Sequence, residues 1–499
     1  MTAVVVAVVV TGCGGSSGSA RASTGSAPTA FPPVPPALPV LPPARPISWA
    51  PCSAHSSLQC GTVSVPVDYR HPAGGSLSIA VSRSPALDPT DPKGTLVFNP
   101  GGPGESGNQI LPFILGEFPP SVRRLFDIVT FDPRGTGASD PLQCGTSPSA
   151  ASSVLPVPDA PGRPLPGTPV FAAMARACQS RAGRLAPQID TVNTARDLDR
   201  IRQALGLATI SFYGLSYGTV LGAVYADLFP DRVSTMVLDG AVDVDASLVR
   251  QATEEAPAAE RSLQHLFATC SADPTCPLGS DPRSTFDKVD ASLASRPLPA
   301  PGDGDPNPVT VGDLDTATLL ALSVPSFSAS YEAAVVAAGA GNGAPLRSLA
   351  LEFVTDIDGA PLVDPLWAIT CNDAAVHPGP LAAGALASSM HRAYPLIGAY
   401  SVTYTMGGCV TWPKAREPVT DLHPRLAPPV LVIGTTGDPN TPFIGAVHLA
   451  AIFPRATLLT WSGWGHTWLL SGANDSCMQA LVTTYVTGDG LPHRGTVCH

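Results

Sequence analysis

Three residues of this chain have the types and settings that nucleophilic catalysis requires. Ser216 lies in the pentapeptide GLSYG, Asp438 in the segment GDPNTP and His466 in the segment GWGHT. A serine hydroxyl becomes an effective nucleophile when a histidine takes its proton and a carboxylate orients that histidine. The chain order serine, acid, histidine is one of those in which such a triad occurs. We therefore predict that these three residues form a catalytic triad.

The surroundings of Ser216 favour a catalytic turn over a chance match to G-x-S-x-G. Residues 210–213 are β-prone and residues 219–229 have a helical composition, so the motif joins a strand to a helix, as in a nucleophile elbow. Glycines flank the serine because so tight a turn leaves no room for a Cβ atom. The segment GGSSG at residues 14–18 fits the same pattern but has neither a strand nor a helix beside it. An ordinary serine in a tight turn is the alternative for Ser216.

The two partner residues are selected by their position along the chain. Asp438 and His466 each follow a predicted strand directly. Loops at the carboxyl ends of parallel strands meet at one edge of a sheet, so both side chains can reach Ser216. Asp438 could instead be a turn former, and His466 a surface or core residue. Asp239, at the end of an earlier strand, is the rival acid.

A tetrahedral intermediate needs two N–H donors for its oxyanion. The backbone of Tyr217, directly after the nucleophile, is one candidate, and the backbone of Gly102 in the loop NPGGPG is the other. A structural glycine-rich turn is the alternative for that loop. Asp132 and Arg134 are expected to brace the neighbouring loop, and Thr441 to cap the loop of the triad acid.

Predicted strands and helices alternate along most of the chain. The strands are expected at residues 61–69, 76–82, 94–98, 127–131, 210–213, 233–238, 428–434 and 456–461. The first two should form a hairpin. An amphipathic helix is predicted over residues 194–205, with Thr194 and Asp197 forming a capping box. This alternation predicts an α/β fold whose mostly parallel sheet carries helices on both faces.

Residues 244–425 interrupt the alternation. They contain helical stretches such as 313–322 and 330–339 but no clear series of strands. We interpret this region as a mainly helical lid inserted into the α/β core. The core would then be built from residues 47–243 and from residues 426–499, the second of which carries the catalytic Asp and His.

The amino-terminal residues indicate export. Residues 3–10 form an apolar run that is too short to span a membrane, and VTGC at its end is similar to a bacterial lipobox. We predict a signal peptide over residues 1–13, lipidation of Cys13 and a Gly/Ser- and Pro-rich tether over residues 14–46. No Lys or Arg precedes the apolar run. Plain secretion is the alternative to a lipid anchor on the outer face of a bacterial cytoplasmic membrane.

The composition of the chain and its cysteines limit the binding partners, metal sites and cellular compartment that we expect. A net charge of −11 argues against a nucleic-acid partner and leaves a lipid at Cys13 as the expected membrane contact. The eleven cysteines leave ten when Cys13 is set aside, and we predict that neighbours in sequence pair as disulfides, as in an oxidising compartment. No C-x-x-C motif occurs, so we expect no metal site. The triad chemistry requires no cofactor.

Six ordered motifs carry a resemblance to a known family: NPGGPGESG, FDPRGTGASD, NTARDLDRIRQALG, YGLSYGT, GDPNTP and GWGHT. From about residue 50 to the end, the chain resembles the secreted tripeptidyl-aminopeptidase branch of the prolyl-aminopeptidase-like α/β-hydrolases. The resemblance implies an α/β-hydrolase fold with a helical lid. It also implies removal of short peptides from free amino termini of a peptide or protein substrate, and Asp438 rather than Asp239 as the acid. Glu105 departs from the small residue that many relatives carry there.

Such an aminopeptidase needs an anion for the ammonium group of its substrate. Asp373 and Glu105 are the leading candidates. The lid acids Glu254, Glu255 and Glu260 are further candidates, although solvation at the surface is the role expected for each of them. Two other functions remain open on this sequence. One is an esterase or lipase that uses the same triad, and the other is a non-catalytic surface lipoprotein that has kept the fold.

Overall fold

One ten-stranded sheet organises the described residues, which in this computed structural model are 38–54, 56–90, 92–152, 162–299, 306–425 and 428–499. Its strands are β1 (Ala50–Pro51), β2 (Gln59–Pro66), β3 (Ser76–Ser84), β4 (Gly94–Asn99), β5 (Phe126–Phe131), β6 (Ile210–Leu215), β7 (Val233–Asp239), β8 (Val430–Gly437), β9 (Ala456–Trp464) and β10 (Val497–Cys498). They lie in the order β1-β2-β3-β5-β4-β6-β7-β8-β9-β10. The pairs β1–β2, β2–β3 and β3–β5 are antiparallel. The pairs β5–β4, β4–β6, β6–β7, β7–β8, β8–β9 and β9–β10 are parallel.

Helices connect and cover these strands. They are α1 (Gly107–Ile114), α2 (Pro120–Leu125), α3 (Pro148–Ser152), α4 (Thr168–Ala182), α5 (Thr191–Ala204), α6 (Tyr217–Leu228), α7 (Leu248–Ala272), α8 (Pro282–Ser295), α9 (Val311–Ser323), α10 (Ser328–Gly339), α11 (Ala344–Val354), α12 (Val363–Asp373), α13 (Pro380–Ala393), α14 (Gly398–Met406), α15 (Phe443–Ile452), α16 (Trp468–Ser471) and α17 (Ser476–Val486). No described helix has both the length and the apolar character needed to cross a bilayer.

The sheet is apolar on both faces, as expected when helices cover both sides. Along β4, Val97 packs into the core formed with α5, α6 and α15, whereas Leu96 and Phe98 pack into the core formed with α1, α2 and α17. The alternation of side chains along a strand produces this division. The predicted α/β fold is confirmed, and every predicted strand is present within a few residues of its expected position.

Helix α5 begins earlier than predicted. Asp190 is its N-cap, and its carboxylate accepts a hydrogen bond from the backbone N–H of Asn193 at 2.7 Å. The predicted capping box of Thr194 and Asp197 is therefore wrong, because both residues lie inside the helix. The carboxylate of Asp197 is instead fully buried and paired with Arg134.

The described residues between β7 and β8 are mainly helical and form α7 to α14. In the described part of this segment, strand-like pairing is limited to two isolated bridges, Leu298 with Val309 and Thr355 with Pro361. Helices α7 to α11 share an apolar core of their own, which includes Leu263, Phe286 and Leu314. We keep the name lid for residues 244–425.

Part of the first core segment also packs with the lid, which the sequence did not indicate. Helix α4 contributes Phe171 and Met174 to an apolar cluster that contains Trp367 of the lid. The rings of Phe171 and Trp367 meet edge to face, with centroids 5.0 Å apart. The lid is therefore anchored on an excursion between β5 and α5 as well as on the sheet.

The five predicted disulfides are confirmed. They join Cys52 to Cys60, Cys144 to Cys178, Cys270 to Cys276, Cys371 to Cys409 and Cys477 to Cys498. Such bridges form and persist outside the reducing cytoplasm, so they indicate an extracellular or cell-envelope protein.

The predicted signal peptide, with Cys13, and the tether up to residue 37 lie outside the described residues. The end of the predicted tether is described and contacts the core. The carbonyl of Pro42 accepts a hydrogen bond from Arg200 at 2.7 Å, and the N–H of Ala44 donates to Gln203 at 3.4 Å. Both partners lie on α5, so the chain is already bonded to the core several residues before β1.

Candidate active site

Ser216 occupies a strained turn between β6 and α6. Its backbone has φ 53° and ψ −123°, a conformation that residues with a side chain rarely adopt. The glycines on either side are required by close packing: a Cβ atom on Gly214 would lie 2.3 Å from the carbonyl oxygen of Gly218. This geometry presents the half-buried serine at the end of its strand and the start of its helix, which is the arrangement of a nucleophile elbow.

His466 and Asp438 form a hydrogen-bonded pair. Nδ1 of His466 lies 3.0 Å from each carboxylate oxygen of Asp438. The same carboxylate accepts hydrogen bonds from the backbone N–H and the hydroxyl of Thr441, both at 2.8 Å, and from the N–H of Asn440 at 2.9 Å. Thr441 therefore caps the acid loop. Burial of the imidazole opposes its protonation, but the adjacent Asp438 outweighs this effect and raises the pKa of His466.

Asp239, the rival acid, faces other partners. Its carboxylate accepts the backbone N–H groups of Trp468 and Leu469, each at 3.0 Å, and the hydroxyl of Tyr213 at 3.2 Å. Burial raises the pKa of Asp239 to about 6. The side chain thus anchors the backbone directly after His466, while the acid that contacts the imidazole is Asp438.

Ser216 and His466 line the same cavity. Because Nδ1 of the imidazole is occupied by Asp438, Nε2 is the ring nitrogen that remains for the serine hydroxyl. The described hydrogen bonds do not include one between Ser216 and His466, and catalytic hydrogen bonds of this kind are often long until substrate binds. The arrangement can supply a nucleophile, a base and an orienting acid to a carbonyl in the cavity.

The proposed oxyanion donors lie on the two loops that meet at Ser216. Gly101 packs against the elbow, since a Cβ atom there would lie 2.6 Å from the carbonyl oxygen of Leu215. Gly102 and Tyr217 both line the cavity, and the described hydrogen bonds leave their N–H groups without an acceptor. Two free donors beside a nucleophile are suited to an oxyanion.

Asp132 and Arg134 brace this region. Asp132 accepts hydrogen bonds from the Ser106 hydroxyl at 2.6 Å and from the backbone N–H of Ala138 at 2.8 Å. Arg134 pairs with Asp197 through two hydrogen bonds of 2.7 Å each. Neither side chain lines the cavity, so both act on the loops rather than on substrate.

The lid holds the loops that carry the acid and the base. The carbonyl oxygen of Ser323, at the end of α9, accepts the backbone N–H of His466 at 2.8 Å, and its hydroxyl accepts Asn440 Nδ2 at 2.8 Å. Ser262 on α7 donates to the carbonyl of Gly437 at 3.2 Å. Sequence reasoning missed these residues, because a main-chain carbonyl at a helix end carries no sequence signal.

Asp373 lies in the cavity wall, but its carboxylate is already engaged by the protein. It accepts the backbone N–H of Thr191 at 2.8 Å and the hydroxyl of Thr191 at 2.5 Å. That hydroxyl is also hydrogen-bonded to the Tyr217 side chain. Burial, together with the nearby Asp190, raises the pKa of Asp373 to about 8.

The expectation for the lid acids is wrong for two of the three. Glu255 and Glu260 are buried, at 6% and 5% exposure, whereas Glu254 is half-buried. Glu255 lines the cavity and accepts the Thr405 hydroxyl, and Glu260 accepts the N–H of Leu396 at 3.0 Å. The spacing of Glu255 from the alanines at positions 252, 256 and 259 of α7 places it on the apolar face, a signal that could have revealed its burial.

The cavity itself is large and acidic. Its volume is about 1180 Å³. Among the described residues that line it there is neither Lys nor Arg, while eight are acidic: Glu105, Asp243, Asp245, Glu255, Glu352, Asp356, Asp373 and Asp421. Aromatic and aliphatic side chains fill much of the remaining wall. Such a cavity favours a cationic ligand with an apolar body.

The fold and the serine at its elbow define a serine hydrolase, and comparison with known proteins agrees. Residues 94–473 match the family model described as alpha/beta hydrolase fold. The chain is 31% identical to serine protease Hip1 of Mycobacterium tuberculosis over 485 residues, which cover 91% of each chain. It is 29% identical to the tripeptidyl aminopeptidase of Streptomyces coelicolor (91% of this chain, 86% of the relative) and 32% identical to carboxylesterase B of Mycobacterium tuberculosis (90% and 89%). The protein belongs to the α/β-hydrolase family.

Proposed function

We propose that this serine hydrolase is an aminopeptidase that releases tripeptides or other short peptides from free amino termini. His466 takes the proton of Ser216 as the hydroxyl attacks the scissile carbonyl, and it then protonates the departing amine. Asp438 stabilises the imidazolium, and the N–H groups of Gly102 and Tyr217 bind the oxyanion. Water then attacks the acyl-enzyme, and His466 again acts first as base and then as acid, which releases the carboxylate product and restores Ser216.

The charge of the cavity is the observation that supports this proposal. Eight acidic residues and neither Lys nor Arg occur among the described residues of its wall. Asp243 is paired with Arg250 at 2.7 Å, and burial raises the pKa of both Glu255 and Asp373 to about 8, so the wall carries fewer negative charges than it has acids. The remaining charge is still negative, and a low-dielectric cavity of this kind attracts cations. The amino terminus of a peptide is a cation, whereas the carboxylate product of ester or peptide cleavage would be repelled. The wall therefore suits entry of a free amino terminus and exit of an acidic product.

The requirement for a free amine can be tested directly. We expect a peptide anilide with a free amino terminus to be hydrolysed with a kcat/KM at least about 100-fold above that of its acetylated form, because acetylation removes the cation that the acidic wall attracts and its hydrogen bonds to a carboxylate. Initial rates of anilide release measure this ratio. Equal rates for the two substrates would remove the aminopeptidase proposal, and mass spectrometry of the products gives the length released.

An esterase is the second candidate. Carboxylesterase B is as similar in sequence as the peptidases, and the cavity wall includes Phe353, Trp367 and Tyr404, which would suit an acyl chain. Turnover of neutral acyl esters without turnover of free-amine peptides in the same assay would select this function. The acidic wall supports the peptidase, since a neutral ester gains nothing from it.

We further propose that a lipid on Cys13 anchors the enzyme to the outer face of the membrane and that a peptide or protein, rather than nucleic acid, is its partner. The lipobox-like segment and the tether that follows support this placement. Cys13→Ser is expected to move the protein from the membrane fraction to the medium in a bacterial host. Retention of the variant in the membrane fraction would contradict the anchor.

A further inference from the structure

Glu105 differs from the other acids near the catalytic residues because it has no protein partner. It shares the cavity wall with Ser216 and His466, yet it accepts no hydrogen bond among those described. Asp373 is engaged by Thr191, and Glu255 by the Thr405 hydroxyl. Glu105 is half-buried, and a carboxylate partly removed from water is costly to leave unpaired, so its place in a binding cavity calls for a ligand that completes it.

The position of Glu105 is fixed by the oxyanion corner. Its Cγ atom lies 3.2 Å from the point where a Cβ atom of Gly102 would stand, so the side chain folds back over that glycine. The next residue, Ser106, is the N-cap of α1 and donates its hydroxyl to Asp132 at 2.6 Å. The carboxylate is therefore held close to the site of bond cleavage by a braced backbone.

The electrostatic surroundings leave Glu105 available for a cation. Removal from water raises its pKa to about 7, and the nearby His466 opposes this rise. The cavity wall brings neither Lys nor Arg to it within the described part of the chain. A bound ammonium group would favour the ionised carboxylate, so binding of the cation and loss of the proton from Glu105 reinforce each other.

We propose that Glu105 binds the α-ammonium group of the substrate and so fixes which peptide bond reaches Ser216. This inference rests on the proposed aminopeptidase function and assigns its specificity to one residue. The contact is a charge-assisted hydrogen bond in a site largely removed from water, where such bonds are strong. Because the carboxylate is beside the oxyanion corner, its distance from Ser216 limits how many residues precede the cleaved bond.

The test compares the wild-type protein with Glu105→Gln, which keeps the shape of the side chain and removes its charge. Glu117→Gln is the matched control, because Glu117 is exposed just after α1 and does not line the cavity. For a free-amine peptide anilide, we expect E105Q to lower kcat/KM by roughly 10- to 150-fold, the range of a hydrogen bond to a charged group. The rate with the acetylated anilide should not change, so the ratio of the two rates should fall toward one.

Labelling of Ser216 by an uncharged fluorophosphonate separates this result from damage to the triad. We expect E105Q and E117Q to label at the wild-type rate. An equal loss of activity of E105Q toward both anilides, or slower labelling, would overturn the inference and indicate that Glu105 acts through His466. An unchanged ratio in E105Q, with a wild-type enzyme that prefers the free amine, would also overturn it and leave the proposed function standing. If the wild-type enzyme does not prefer the free amine, both the inference about Glu105 and the proposed aminopeptidase function are wrong.

Discussion

Asp438→Asn is expected to lower kcat by about 10,000-fold, the loss that follows when the triad acid of a serine protease becomes an amide. The asparagine would fill the same space but offer an N–H group to His466 Nδ1, which now faces two carboxylate oxygens at 3.0 Å. The imidazole would then carry its proton on Nε2, toward Ser216, and could not accept the proton of the hydroxyl. Hydrolysis of a reactive anilide, followed across pH, measures the effect.

Asp239→Asn is the matched control. Its carboxylate binds the backbone N–H groups of Trp468 and Leu469 rather than the imidazole. We expect this variant to unfold at a lower temperature while kcat stays within about tenfold of the wild type, since an unsatisfied buried group affects stability first. The reverse outcome, in which D239N loses the greater part of kcat and D438N keeps it, would assign the triad acid to Asp239.

Arg134→Met should produce the largest loss of stability. Both members of the ion pair between Arg134 and Asp197 are fully buried, and the guanidinium also donates to the carbonyls of Val67 at 3.0 Å and Gln188 at 3.2 Å. Removal of the arginine would leave Asp197 as an uncompensated buried charge and several carbonyls without donors. A loss of about 3–5 kcal/mol in the free energy of unfolding is typical of such a broken pair.

The double variant Arg134→Met/Asp197→Leu tests the cause. If the uncompensated charge dominates, removal of its carboxylate should recover part of the lost stability, although the hydroxyl of Tyr69 then loses an acceptor now 2.7 Å away. Urea unfolding with the disulfides intact gives the three free energies. A double variant that is less stable than Arg134→Met would show that packing, not charge, determines the loss.

The sequence predicted the features that depend on local pattern or on the geometry of a parallel sheet. The strand before Ser216 and the helix after it follow from composition, and the disulfides join cysteines that are neighbours in sequence. Asp438 was preferred to Asp239 from its place after a late strand, with support from the motif resemblance, and the structure places Asp438 against the imidazole. Each of these inferences needs little knowledge of distant contacts.

Features that depend on contacts between distant segments could not be predicted. The early start of α5 has a local cause, the cap formed by Asp190, whereas the burial of Asp197 depends on Arg134, more than sixty positions away. The packing of α4 with the lid depends on Phe171 and Trp367 meeting across two segments. The engagement of Asp373 by Thr191 likewise joins residues 182 positions apart, which is why a residue suited to an ammonium ion proved to be bonded to its own protein.

Ser323 accepts hydrogen bonds from the backbone of His466 and from the side chain of Asn440, and these bonds make the active site depend on docking of α9. A chain that contains all three predicted triad residues lacks this support for the loops of two of them until α9 has docked. The Cys371–Cys409 bridge joins α12 to the segment after α14 within the lid and forms outside the reducing cytoplasm. Docking of the lid is thereby a condition for hydrolysis, and the lid does more than cover the cavity.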